Sequence, residues 1–288
     1  MKFSVLIFCL ILLWRCNTTQ GGRLHPQWCS FIADLCKKFE ENPTSSTLSL
    51  IYFHQEFSTI NPYLHLLPPV LIWAPVEQFK EIFPNGFICP KCDTGSSSLL
   101  YGYGWMSGVE SERTEPRKIH GRDGVVLLVG RRYKCFVKSH EVVSYHPGIL
   151  RQINNAPSLV PFRLWSRTGF TSLLMDDIVT MVVSGVCLST IESNMVLATV
   201  AQYSVKRKRF LELQALCNTP CNEFPSYEQW TSLLPAAAPS RHAISACFLS
   251  SFWEIHSLFE KHMQGTTTTD EDSWLSCDHT FASAGEFS

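Results

Sequence analysis

Two cysteines separated by two residues, Cys89-Pro90-Lys91-Cys92, form the sharpest chemical feature of the chain. A C-x-x-C turn aims both thiolates at one point, as a zinc ion with sulfur ligands at about 2.3 Å requires. Pro90 stiffens the turn, and Gly95 suits a chain reversal after it. A zinc ribbon needs a second such half, and Tyr133-Lys134-Cys135 stands where it is expected. The partner of Cys135 should be residue 138, but that is Lys138, whose ammonium cannot ligate. Four outcomes remain open. His140 supplies the fourth ligand through its imidazole; His120 or Cys187 folds back to do so; the site keeps three ligands; or the metal is lost and the core alone holds the module. A redox reading of the C-x-x-C has no preceding βαβ pattern to support it. Cys217 and Cys221 make a looser C-x3-C, open to a disulfide, a second half-site or two unrelated thiols.

Other chemistries find no foothold. The sequence has no G-x-S-x-G, no P-loop, no G-x-G-x-x-G and no H-E-x-x-H. His256 and His262 are six apart, which does not place them on one helix face. Charge is more informative. The formal net charge is -1, yet Arg113–Arg167 carries eleven Lys/Arg against three Asp/Glu. A basic middle between acidic flanks is either a solvated face or a surface for a polyanion. On the second reading Arg117, Lys118, Arg131, Arg132 and Lys134 meet the phosphates of DNA beside the cysteine turn. Trp73, Trp105 and Trp165 read as core rather than as platforms for bases.

These groups need elements to position them. With 45% hydrophobic and 17% charged residues, 288 residues suffice for one large domain or two ordinary ones. Met1–Trp14 is one Lys and an apolar run closed by Arg15, signal-like although its cleavage region is poor, so residues 1–20 are either a secretory signal or anchor, or a buried segment. Residues 26–41 show apolar residues at helical spacing, ended by Asn42-Pro43. Residues 70–150 look β-rich: VLIW (70–73), an Asn85-Gly86 turn leading a strand into the cysteine pair, and GVVLLVGRRYKCFV (124–137) interrupted by Gly130. Residues 158–216 read as helical, with Met175, Ile178, Val179, Val182 and Val183 on one face and Lys206–Arg209 exposed. Residues 217–240 are a connector, and 241–264 are again helical. The expected fold class is α+β: a small β-rich zinc-ribbon-like module, then a helical segment, between a loosely ordered N-terminus and C-terminal tail. The segments are 1–20, 21–69, 70–150, 151–216 and 217–288.

The order of motifs carries a resemblance. Ile72-Trp73-Ala74-Pro75, Phe83-Pro84, Cys89-Pro90-x-Cys92, Gly104-Trp105, Pro116-Arg117, Arg132-Tyr133-x-Cys135, Pro147-x-Ile149-Leu150 and Phe162 through Ser166-Arg167-Thr168-Gly169 span about half the chain. Together they resemble a domain of unknown function that precedes the ribonuclease-H-like catalytic region of transposon-derived transposases. The resemblance implies a four-cysteine zinc ribbon followed by helices, and this chain departs from it at Lys138. Ser276-Cys277-Asp278-His279-Thr280-Phe281 is similar to the first catalytic strand of such enzymes, where an aspartate holds a divalent metal. Only Glu286 follows, too near to be the second carboxylate, so Asp278 is either a vestige of a truncated catalytic region or part of an acidic tail. The expectation is a non-catalytic, zinc- and DNA-binding fragment, nuclear on this reading. The alternative, from twelve cysteines and the signal-like start, is a secreted or membrane-tethered cysteine-rich interaction protein.

Overall fold

The structure is a computed structural model and describes residues 24–41, 61–92, 98–153, 159–166, 168–217, 223–234 and 239–266. The signal-like segment, Cys221 and Asp278 lie outside these residues. The chain divides into two compact units, residues 1–248 and 249–288.

Helix α1 (Pro26–Glu41) forms where the apolar spacing predicts it, burying Trp28, Ile32, Leu35 and Phe39 along one stripe. A short α2 (Pro62–Leu66) follows, capped by the Asn61 side chain. Strand β1 (Val70–Trp73) comes next, then a single turn, α3 (Pro75–Gln78), started by Pro75. Strands β2 (Leu100–Trp105), β3 (Arg117–Gly121), β4 (Gly124–Cys135) and β5 (Glu141–Val143) lead to helix α4 (Pro147–Ile153). A hairpin of β6 (Phe162–Trp165) and β7 (Thr168–Thr171) precedes helices α5 (Ser172–Val183), α6 (Leu188–Cys217), α7 (Tyr227–Ser232) and α8 (Arg241–Thr266).

The architecture is α+β, with a curled seven-stranded sheet threaded by β4. Over residues 124–130 β4 pairs with β3 antiparallel and with β1 in parallel; over 131–135 it pairs with β2 and β5. Gly130 marks the change of partners. A Cβ there would lie 2.7 Å from Tyr145 Cε1 and 2.8 Å from Ser144 Oγ, so the close approach of residues 144–145 requires glycine. The strand therefore runs through Gly130 rather than being broken by it.

Both faces of the central pair are covered, which is why VLIW and VVLLV are unbroken apolar runs. Val70, Ile72, Val125, Leu127 and Val129 face a core shared with α1, Tyr203 and Trp230. Leu71, Trp73, Val126 and Leu128 face the opposite core, which contains Cys89, Cys135 and Tyr133. A third core joins α5, α6 and the start of α8 through Ile178, Ile191, Met195 and Ile244.

Four expectations need correction, the first being that Lys206, expected to be exposed with Arg207–Arg209, is half-buried with its ammonium donating to the His65 and Leu67 carbonyls. The helical reading of 158–216 misses the β6–β7 hairpin, whose β7 lies parallel to β3 through His120 and Phe170. Four-residue strands rich in Phe, Trp and Thr are too short to show period-two alternation against a helical background. Val183 is 77% exposed, because α5 ends there and only its Leu174, Met175 and Ile178 stripe is buried. The segment entering the cysteine pair makes only an isolated bridge, Ile88 to Leu99, rather than a strand.

Candidate metal centre

The cysteine turn is held from two sides. Cys89 N–H donates to the Ser98 carbonyl (2.9 Å) and Leu100 N–H to the Phe87 carbonyl (3.0 Å), tying the approach to the start of β2. On the other edge the Gln152 side chain of α4 acts as a substitute strand, accepting from Ile88 N–H at 2.9 Å and donating to the Ile88 carbonyl at 2.8 Å. Cys92 N–H donates to the Cys89 carbonyl at 3.3 Å, closing the turn. The second half begins where β4 ends. Cys135 N–H donates to the His140 carbonyl (3.0 Å), and Ser139 N–H, at φ 52°, donates to the Cys135 carbonyl (3.1 Å). This tight loop returns His140 to the cysteines.

The ligating atoms of Cys89, Cys92 and His140 lie within 4.8 Å of one another, close enough to bind a metal. Cys135 adjoins them, its Sγ 3.5 Å from Cys92 Sγ, and His140 Nδ1 lies 3.8 Å from the same sulfur. A tetrahedral zinc with bonds near 2.3 Å to sulfur and 2.0–2.1 Å to nitrogen separates two sulfurs by about 3.8 Å and sulfur from nitrogen by about 3.6 Å. The thiols of Cys89 and Cys92 and the imidazole of His140 are thus close enough to hold a metal ion, with Cys135 beside them outside that mutually close set. Residue 138 takes part by its backbone: Lys138 N–H points to Cys135 Sγ at 3.5 Å. That amide, together with the Ser98 hydroxyl, draws the Cys135 thiol down to about 6, while burial pushes the Cys89 thiol up. The other two candidates stand elsewhere. His120 is buried on β3 with its ring 5.9 Å from that of Phe170, and Cys187, exposed before α6, contacts the Ser189 and Thr190 hydroxyls.

The five basic residues assigned to phosphates occupy two neighbourhoods of the sheet. Arg117 donates to the Ser166 carbonyl and, at 2.7 Å, to that of Thr168, and lies over the Tyr145 ring. Burial lowers Lys118 to about 8. Arg131 pairs with Glu40 and, at 3.5 Å, with Glu77, and lies 4.6 Å over the Trp105 ring. Arg132 pairs with Glu110 and, at 3.2 Å, with Glu141. Lys134 sits 4.6 Å over the Tyr103 ring. Three of the five guanidiniums and ammoniums are thereby tied to partners within the fold.

Sequence reasoning missed the buried group that anchors Arg131. Tyr133, fully buried, donates its hydroxyl to Glu77 at 2.7 Å and accepts from Val76 N–H at 3.3 Å. Burial raises Glu77 despite that bond and Arg131. No spacing links residue 77 to 131 or 133, so only the fold reveals the cluster. Of the tryptophans, Trp73 is fully buried and bonded to the Ser144 carbonyl at 3.2 Å, Trp105 is half-buried, and Trp165 is 42% exposed. The described cysteines 29, 36, 89, 92, 135, 187 and 247 carry no disulfide. Among the described residues no helix is long and apolar enough to cross a membrane. Comparison with models of protein families, with curated proteins and with solved structures gives no match.

Proposed function

We propose that this chain is a non-catalytic module in which Cys89, Cys92, Cys135 and His140 hold one structural zinc ion, and that it associates with nucleic acid. The observation that carries the reading is the convergence of Cys89, Cys92 and His140, with Cys135 in contact with Cys92. Four protein ligands leave no open position for substrate or water, which is the mark of a structural rather than a catalytic zinc. The lysine at 138 then replaces a cysteine without destroying the site, since its amide keeps the loop and His140 completes the donor set. Bound zinc would lock the end of β4 to the turn before β2, and so fix the edge of the curled sheet. Support for a transposase-associated origin is the motif order from Ile72 to Gly169, and support for nucleic acid is the basic segment around it.

The test is metal analysis of the purified full-length chain. One zinc per chain is expected, falling to background in the Cys89→Ser, His140→Ala double variant. A zinc-free chain whose melting temperature does not respond to added zinc would sink the metal reading. Electrophoresis with and without reductant addresses the secreted alternative, which requires a faster-migrating oxidised form. Mobility shift at rising salt addresses nucleic acid, since phosphate contacts must weaken as salt increases.

A further inference from the structure

The face of the sheet opposite the cysteine cluster has a composition that the metal site does not explain. Along β4, Tyr133 and Cys135 point into the core, so Arg132 and Lys134 point outward. Register places Tyr101 of β2 beside Lys134 and Glu141 of β5 on its other side. Tyr103 stands on the same outer face in the bulge between Gly102 and Gly104, 48% exposed, with Lys134 at 4.6 Å and Arg132 at 5.1 Å from its ring centroid. Just past β4, Phe136 is 67% exposed and its ring lies 4.6 Å from that of Tyr101. Three aromatic rings thus line one strip of exposed sheet. An exposed Phe beside two tyrosines costs solubility and adds nothing to the core on the other side.

The charges around the strip are of mixed sign with a cationic excess. Arg132 is shared by Glu110 and Glu141, while Lys91 donates to the Glu141 backbone carbonyl at 2.7 Å, leaving its charge uncancelled by that contact. Lys134 faces a ring rather than a carboxylate, and Lys138 lies in the adjoining loop. Arg132, Lys91 and Lys134 therefore stand against the two carboxylates of Glu110 and Glu141.

We propose that Tyr101, Tyr103 and Phe136 form a stacking platform for the bases of single-stranded nucleic acid, with Lys134, Lys138 and Lys91 beside its phosphates. Unpaired bases offer flat faces that aromatic rings accept irrespective of sequence, while a cationic groove follows the backbone. A duplex keeps its bases stacked on one another and cannot use such a platform. The inference rests on the nucleic-acid half of the proposed function and refines it, moving recognition from Arg117 and Arg131, which are tied within the fold, to the outer face of β2 and β4.

The test is a fluorescence-anisotropy titration of the full-length chain with labelled oligothymidine and oligouridine of about 20 nucleotides, against a duplex of equal length. Single strands are expected to bind more tightly than the duplex, and comparison of the two sugars distinguishes DNA from RNA as the natural source. Tyr103→Ala and Phe136→Ala should each weaken single-strand binding about 10-fold, whereas Tyr103→Phe should retain it. Both side chains are exposed, so melting temperatures should stay near that of the parent. Lys134→Ala should reduce the salt slope by about one contact. Binding of single strands that ignores both alanine variants, or tighter binding of the duplex, overturns this inference and leaves the broader nucleic-acid reading standing. A chain that binds neither form overturns both. Should Phe136→Ala instead abolish self-association in sedimentation while leaving oligothymidine binding intact, the strip is a contact between copies and the inference fails.

Discussion

Gly148→Ala offers a sharp test of how the cysteine turn is seated. Gly148 lies in the first turn of α4, where alanine is ordinarily the better helix former by up to about 1 kcal/mol. Its surroundings reverse that sign. A Cβ at 148 would lie 2.3 Å from Pro90 Cβ and 3.2 Å from Pro90 Cγ, against an ordinary carbon–carbon contact of about 3.6 Å. The overlap of about 1.3 Å cannot be relieved by a rotamer, because a proline ring has none to offer. Either α4 or the turn must shift, and overpacking of this kind costs about 1–3 kcal/mol. Subtracting about 1 kcal/mol of helix gain leaves a net loss of about 0–2 kcal/mol, or a melting temperature lower by up to about 8 °C in a unit of this size. Pro90 stands between two of the proposed ligands, Cys89 and Cys92, so on that proposal the displacement also moves sulfur off its productive position. Loss of support around a metal ligand typically weakens affinity about 10–100-fold, and a similar fall is expected in competition with a chromophoric chelator. Thermal melts with and without zinc check the first figure, and the chelator titration checks the second. An alanine variant that melts higher than the parent, with unaltered zinc affinity, would refute the contact.

Other predictions follow from the same structure. Tyr133→Phe removes the donor to half-buried Glu77 and should lower stability by about 1–2 kcal/mol, read as a lower urea midpoint at constant slope; an unchanged midpoint would show that the bond is not formed. Lys206, whose ammonium donates to the His65 and Leu67 carbonyls, is brought by burial to about 8 from an ordinary 10.5. The folded state therefore holds its proton less tightly than the unfolded chain, so stability should rise with pH between about 8 and 10.5, by up to about 3 kcal/mol. Lys118 acts in the same window, so Lys206→Met should remove part of the rise, and equal pH profiles for parent and variant would contradict the burial. Cys187 is exposed and drawn to about 7 chiefly by the Ser189 and Thr190 hydroxyls, whereas burial pushes Cys36 to about 12. Iodoacetamide at neutral pH should label Cys187 well before Cys36, and mass mapping in the reverse order would negate that assignment.

The residues that local chemistry dictates were legible in the sequence. Cys89 and Cys92 sit in one turn, so spacing alone brings them together, and His140 is legible beside them because the loop after Cys135 is short enough to return it. The α1 stripe and the apolar runs of β1 and β4 likewise follow from periodicity and length. What sequence could not supply were relations between distant strands. The β6–β7 hairpin gains its place by lying against β3, a pairing that the four residues Thr, Gly, Phe and Thr of β7 do not announce. The Arg131–Glu77–Tyr133 cluster joins residues more than 50 apart, so its arginine reads from sequence as a surface cation although its side chain is 13% exposed. The alternation of Arg132 and Lys134 with Tyr133 and Cys135 was present in the letters, yet its meaning depends on which face is covered, and that is decided by α4 and the turn before β2.

The parallel contact between His120 and Phe170 sets a practical limit on where this chain can be cut. A piece ending at residue 150 would retain β1 to β5 and the candidate metal ligands, yet strip β7 from its neighbour. Ile119, fully interior, would lose the cover that Phe162 gives it, and an unprotected strand would be left to recruit another molecule. Shortened versions that stop before Thr171 should accordingly precipitate or pair edge to edge even with zinc in place, whereas those that keep the hairpin should remain dispersed.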